Sequence, residues 1–185
     1  MASDVVDLIM QDHREVERLF ERMKTEPEQR PMLVPVVTAL LVAHSRAEEA
    51  EVYPAARDEA GEADDVAHSQ EEHAQAEEIL ERLAKTDHNS AEFSSTLDEL
   101  IEAITHHVEE EESSVLPGLR ESLSTDRLHE LGEAFITSRA EHMGDRPGEA
   151  TKAEILQQAE NAGIEGAGSK SKDELTAELR AEDDD

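Results

Sequence analysis

The chain contains no cysteine and no tryptophan, one tyrosine and three phenylalanines in 185 residues, and 17 basic residues against 47 acidic ones. Without cysteine, disulfides and thiolate-held metals are excluded, so metal chemistry would have to use nitrogen and oxygen donors. A formal net charge of -30 repels nucleic acid and anionic membrane surfaces and attracts cations. Nucleic-acid and membrane partners are therefore not expected. The acidic start Met1-Ala-Ser-Asp4 lacks the apolar run of a signal peptide, and no later run is long and apolar enough to span a bilayer. A cytoplasmic protein is the expectation.

What is present is Leu, Ile, Val and Ala at 3.6-residue spacing, without alternating Val/Thr/Tyr runs, which predicts an all-α fold. Ser3 is the expected N-cap of a first helix running to about Lys24, before Glu26-Pro27 stops it. Pro31 and Pro35 fit the first turns of a second helix closed by Gly61. A third helix is expected over about 63 to 85, and a fourth from the Asp87–Ser90 turn to about Pro117-Gly118. A shorter fifth helix should start at Ser124 and end near Gly144. These make one domain over 1–144, with 145–150 (Asp-Arg-Pro-Gly and two more residues) as a linker. Beyond it, two capping boxes, Thr151 to Glu154 and Ser171 to Glu174, open a helix-loop-helix module over 151–182 on a tether, with an acidic tail to 185.

Two carboxylates stand where the helices should be most apolar. The second helix carries Leu33, Val37, Leu40 and Leu41, then His44, Glu48, Val52 and Ala55. The fourth carries Phe93, Leu97, Leu100, Ile101 and Ile104, then His107, Glu111 and Val115. Residues i and i+4 share a helix face, so both His/Glu pairs point where the leucines point. An unpaired buried carboxylate costs several kcal/mol, and a cation between the two glutamates offsets that cost. A proline, Pro54 or Pro117, follows ten residues after each histidine, where it should kink or end the helix. The match of the two blocks reads as a duplicated helical hairpin.

His13, between Ile9 and Val16, and His73, near Ala76, Ile79, Leu80 and Leu83, add a core histidine on each remaining helix. Glu77, four residues after His73, is either a further ligand or outer-sphere group, or simply solvated. Tyr53 is either a packing aromatic or a phenol at the metal edge. His106 lies on a polar face with Glu102, Glu110 and Ser113, and His68, His88, His129 and His142 sit in acidic or terminal contexts; all are read as surface or packing residues. The donor set suits iron, manganese or zinc, and its division between facing helices suits two ions.

In its H, HxxxE, H, HxxxE pattern (Gln-Asp-His13, His44-Ser-Arg-Ala-Glu48, Glu-His73 and His107-Val-Glu-Glu-Glu111) the chain resembles the hemerythrin-like family over about residues 3 to 120. The resemblance implies an up-down-up-down four-helix bundle around two iron ions with an oxo or hydroxo bridge. In it Glu48 and Glu111 bridge the irons, and His13, His44, His73 and His107 supply nitrogen. Oxygen-carrying members use five histidines, but this chain has Glu77 at the expected position of the fifth. More carboxylate and less imidazole favour ferric iron and count against reversible oxygen carriage. Peroxide decomposition, catalase- or peroxidase-like, or nitric oxide and oxidative-stress chemistry, on a small diatomic or peroxide ligand, is therefore expected. The competing readings are a non-enzymatic oxygen, nitric oxide or iron sensor, and an interaction protein with a residual metal site. The C-terminal module is similar to the helix-loop-helix units of Rho N-termini and SAP-like domains. Its seven acids against four bases over 149–180 make a protein partner or self-association as good an expectation as nucleic acid.

Overall fold

The computed structural model describes residues 3–181 of the chain; the tail residues 182–185 lie outside it. Every regular element among the described residues is helical. Helix α1 is Val5–Thr25, and α2 begins as Arg30–Ala47 and continues as a helix to Ala60. Helices α3, Ala63–Lys85, and α4, Ala91–Ser113, complete the bundle. Cross-helix pairs run in opposite senses at each neighbour: Asp12 with His44 and Met23 with Arg30, Glu49 with His73 and Arg46 with Glu77, and Glu72 with His107 and Asp65 with Ser114. Each helix is thus antiparallel to the next, and the bundle is up-down-up-down.

The start of α1 differs from expectation by one residue. Asp4, not Ser3, is the N-cap, because Asp4 and Asp7 form a reciprocal capping box in which each carboxylate accepts the other's backbone N–H. Ser90 caps α4, and Ser124 caps the helix Thr125–His142, as their sequence positions suggest.

The two prolines, each expected to kink or end its helix, are accommodated in different ways. Pro54 has no N–H to give, and the preceding turn, Glu48–Val52, widens so that the Tyr53 N–H reaches the Glu48 carbonyl five residues back. The helix absorbs the proline and runs on through a second wide turn to Gly61, whose φ of 79° ends it. The extra residue per turn brings Tyr53 and Ala56 inward beside Val52 and Ala55, and all four are buried. On the other hairpin, the chain breaks at Ser114 (φ -126°, ψ -78°), before the proline, and Pro117 lies in the first turn of a separate helix α5, Val115–Ser122, where no N–H is required. The sequence had suggested one continuous helix there.

Helix α6, Thr125–His142, packs across α1 and α2; Gly132 permits this, since a Cβ there would lie 3.2 Å from the Val5 nitrogen. Apolar packing divides into two clusters. One holds Val16, Phe20, Leu41, Ile79, Leu97 and Ile104; the other holds Ile9, Val52, Tyr53, Val66, Val115 and Phe135. The histidines occupy the layer between them. The C-terminal pair, α7 (Lys152–Asn161) and α8 (Lys172–Ala181), has its own small cluster of Ile155, Ala159, Leu175 and Leu179. It is seated on α3 and on the wide turn of α2 rather than hanging free.

Candidate metal centre

The inner layer brings together all six side chains selected by periodicity. His13, His44, Glu48, His73, His107 and Glu111 are all buried, both glutamates completely. Nε2 of His44 lies 3.1 Å from Oε2 of Glu48, and Nε2 of His73 is 3.4 Å from the same oxygen. His13 Nε2 is 3.3 Å and His107 Nε2 4.0 Å from Oε2 of Glu111. Each glutamate is thus shared by a pair of histidines. The rings are also close, with centroids 5.2 Å apart for His13 and His44 and 4.7 Å for His73 and His107.

Each histidine is held from outside by a carboxylate on another helix. Asp12 of α1 meets Nδ1 of His44 on α2 at 3.2 Å, and Glu49 of α2 meets Nδ1 of His73 on α3 at 3.2 Å. Glu72 of α3 meets Nδ1 of His107 on α4 at 2.8 Å, and Glu112 of α4 meets Nδ1 of His13 on α1 at 2.9 Å, closing the ring. A carboxylate accepting from Nδ1–H fixes the tautomer and turns the Nε2 lone pair inward. The His73 and His107 Nε2 atoms then face each other at 3.2 Å with Glu48 beside them. Two lone pairs and a carboxylate at that separation require positive charge between them.

None of the four outer carboxylates was selected from sequence. Each directly adjoins an inner donor: Asp12 by His13, Glu49 by Glu48, Glu72 by His73 and Glu112 by Glu111. These doublets were a readable signal. Two further buried groups, Arg46 and Gln70, were also missed. Arg46 pairs with Glu49 at 3.0 Å, and Gln70 donates to Glu49 at 3.0 Å. Burial alone would raise the Glu49 pKa, but the Arg46 charge, His73 and Gln158 override it and hold it at about 2.

Glu77 does not reach the inner layer. Both its oxygens accept from Nη2 of Arg46, at 2.7 and 2.9 Å, and one also accepts the Gly148 N–H at 2.7 Å. The nearby guanidinium charge outcompetes the distant core for this side chain. Tyr53 does reach it. The phenol oxygen is 3.1 Å from His73 Nε2 and the ring stacks on the imidazole. Burial first, then the Glu111, Glu48 and Glu49 charges, push its pKa well above the usual phenol range, so it is a hydrogen-bond donor at neutral pH. His106 is exposed, and His68 and His142 stand in surface carboxylate clusters.

The six inner residues fit a metal on the chemistry of their unsatisfied atoms. Nε2 of His13 and His44 and both oxygens of Glu48 and Glu111 are buried without a hydrogen-bond partner. Two tight groups of three donors appear among them, His13 with His44 and Glu48, and Glu48 with His73 and His107. Glu48 belongs to both, which suits two ions sharing a carboxylate. Beside the donors lies a cavity of about 20 Å³, closed by Val16, Leu41, Ile104 and Val108, large enough for one water-sized molecule.

The family model described as "Hemerythrin HHE cation binding domain" matches residues 4–119. Among curated proteins, the chain is similar to a DNA nickase of Nostoc sp. (strain PCC 7120), 25% identical over 154 residues, which are 82% of this chain and 44% of that protein. The chain therefore spans less than half the length of that relative. No solved structure matches it. No helix among the described residues is long and apolar enough to cross a membrane.

Proposed function

The chain belongs to the hemerythrin HHE cation-binding family, and from that premise we propose that its core holds two iron ions and decomposes hydrogen peroxide. The observation that carries the reading is the inward set of four imidazoles and two carboxylates beside a cavity of about 20 Å³ with an apolar roof. A space of that size selects a ligand of very few heavy atoms.

Nε2 of His13, His44, His73 and His107 and the carboxylates of Glu48 and Glu111 would hold the metal. Iron there would supply ferric/ferrous redox chemistry, and six side chains would leave it able to take up a small ligand. The protein's part is positioning. Asp12, Glu49, Glu72 and Glu112 keep the imidazoles in one tautomer and orientation. The protonated Tyr53 phenol, 3.1 Å from His73 Nε2, would donate a hydrogen bond to a peroxide oxygen held beside His73. Two peroxide molecules yield one dioxygen and two waters, so the reaction consumes no outside reductant.

A second reading, sensing of nitric oxide or oxygen, is favoured by one contact. Gln158 of the C-terminal pair donates to Glu49, which holds His73, so a shift at His73 reaches that pair directly. DNA cleavage, the activity in the Nostoc relative's name, is not carried over, since 30 net negative charges oppose a polyanion. The deciding measurement is dioxygen evolution from hydrogen peroxide by protein carrying two irons per chain. Turnover supports decomposition. Stoichiometric spectral change on nitric oxide binding without peroxide turnover would transfer the assignment to sensing.

A further inference from the structure

Outside the core, the H-x-x-x-E spacing is also found at His68 and Glu72 on α3 and at His106 and Glu110 on α4. The two helices lie side by side and bring the four residues into one surface cluster, with one donor atom from each within 4.8 Å of the others. His68 Nε2 is 3.0 Å from Oε2 of Glu110 and 3.7 Å from Oε1 of Glu72. His106 Nε2 is 3.3 Å from Oε1 of Glu110 and 3.7 Å from that same Glu72 oxygen.

One atom of this cluster has no other explanation in the fold. Glu72 is nine-tenths buried, and while its Oε2 holds His107, its Oε1 is aimed into the cluster without a hydrogen-bond partner. A buried carboxylate oxygen left unpaired is costly. The donor spacing suits a tetrahedral ion. For zinc bonded at 2.0–2.1 Å to nitrogen and oxygen, neighbouring ligand atoms lie about 3.3 Å apart; the contacts here, 3.0 to 3.7 Å with Glu110 turning one oxygen to each histidine, are of that order. Two carboxylates with two neutral imidazoles also balance a dication.

The geometry points to a second, peripheral cation site made of His68, Glu72, His106 and Glu110, selective for a divalent transition ion such as zinc. It is separate from the core, yet it shares a carboxylate with it, because Glu72 joins the outer ion to Nδ1 of His107. The two exposed histidines admit the ion from solvent, and the surplus of acidic residues raises its local concentration.

The test compares zinc uptake by the full-length parent with that of a His68→Gln/His106→Gln double variant, using equilibrium dialysis and elemental analysis. Both substituted side chains are more than half exposed, so folding is not at stake, and a circular dichroism spectrum confirms it. The parent is expected to take up one zinc per chain more than the double variant, whatever the core contains, while a His142→Gln control matches the parent. Because the comparison reads a difference, it stands apart from the identity of the core metal. Equal uptake by parent and double variant would overturn the site, as would loss of the extra zinc in the His142→Gln control.

Discussion

Gln158, in the C-terminal helix pair, donates to Oε2 of Glu49 at 2.9 Å, and the other oxygen of that carboxylate lies 3.2 Å from Nδ1 of His73. Asn161 adds bonds to the Glu49 carbonyl at 3.0 Å and to Gln70 at 3.1 Å. The segment beyond the linker is thus part of the support of one metal-facing histidine. A Gln158→Ala/Asn161→Ala variant leaves a buried carboxylate, a carbonyl and an amide short of partners. Loss of about 1–3 kcal/mol of stability is expected, with metal affinity reduced about tenfold through a looser His73. Thermal unfolding and metal titration check this, and an unchanged affinity would reduce the contact to packing.

The ring of outer carboxylates makes a graded prediction. Replacing Glu48 or Glu111 by Ala removes a donor with both oxygens in the inner layer, and metal retention should be lost. Replacing Asp12 by Asn or Glu112 by Gln leaves every donor in place but withdraws the charge that orients His44 or His13. Metal binding should then persist with an affinity about 10- to 100-fold weaker. Elemental analysis after dialysis against a weak chelator separates the two classes. Full retention in the Glu48→Ala/Glu111→Ala double variant would contradict the assignment of the core donors.

Much of this centre was legible because helical periodicity and burial are the same argument. His107 faces inward and His106 outward, as the stripe from Phe93 to Ile104 required. Less legible was anything decided between helices. Glu77 and Glu49 look alike in sequence, both acids beside alanine and another glutamate, yet Arg46 sits between them and binds both. Only the packing of α2 on α3 places that guanidinium. The wide turn at Glu48–Val52 was likewise hidden. Proline announces a disturbed helix, but whether the chain kinks, breaks or inserts a residue depends on what the next turn can bury, and here that was Tyr53.

Stability of the metal-free protein should depend on pH in a direction set by the core histidines. Burial alone would lower the pKa of His44, but Glu48 and Asp12 raise it to about 10; His73, likewise opposed by burial, is raised to about 9 by Glu48 and Glu49. A group raised above its unfolded value of about 6.5 contributes fully below that pH and loses its contribution as pH rises through 9 to 10. The Tm of the metal-free chain is therefore expected to fall between about pH 6.5 and 10. Metal replaces the protons on Nε2, so the loaded protein should not follow this decline. Parallel melts at several pH values make the comparison, and a metal-free Tm that rises over this window would refute the proton-for-metal exchange.

Tyr53 gives the sharpest separation between building the centre and using it. Its ring is fully buried and stacks on His73 with centroids 5.2 Å apart, a contact that phenylalanine reproduces. Its hydroxyl, 3.1 Å from His73 Nε2, is what phenylalanine lacks. The six inner donors are untouched by the change, so Tyr53→Phe should keep the full metal complement and nearly the parent's stability. If the phenol donates to bound peroxide, losing it should slow dioxygen evolution by roughly 10- to 100-fold and perturb the iron absorption. The iron content of each sample must be measured beside the rate, since a loss of metal would slow turnover for a different reason. Equal rates per iron in parent and variant would make Tyr53 a packing residue and leave proton handling to the carboxylates.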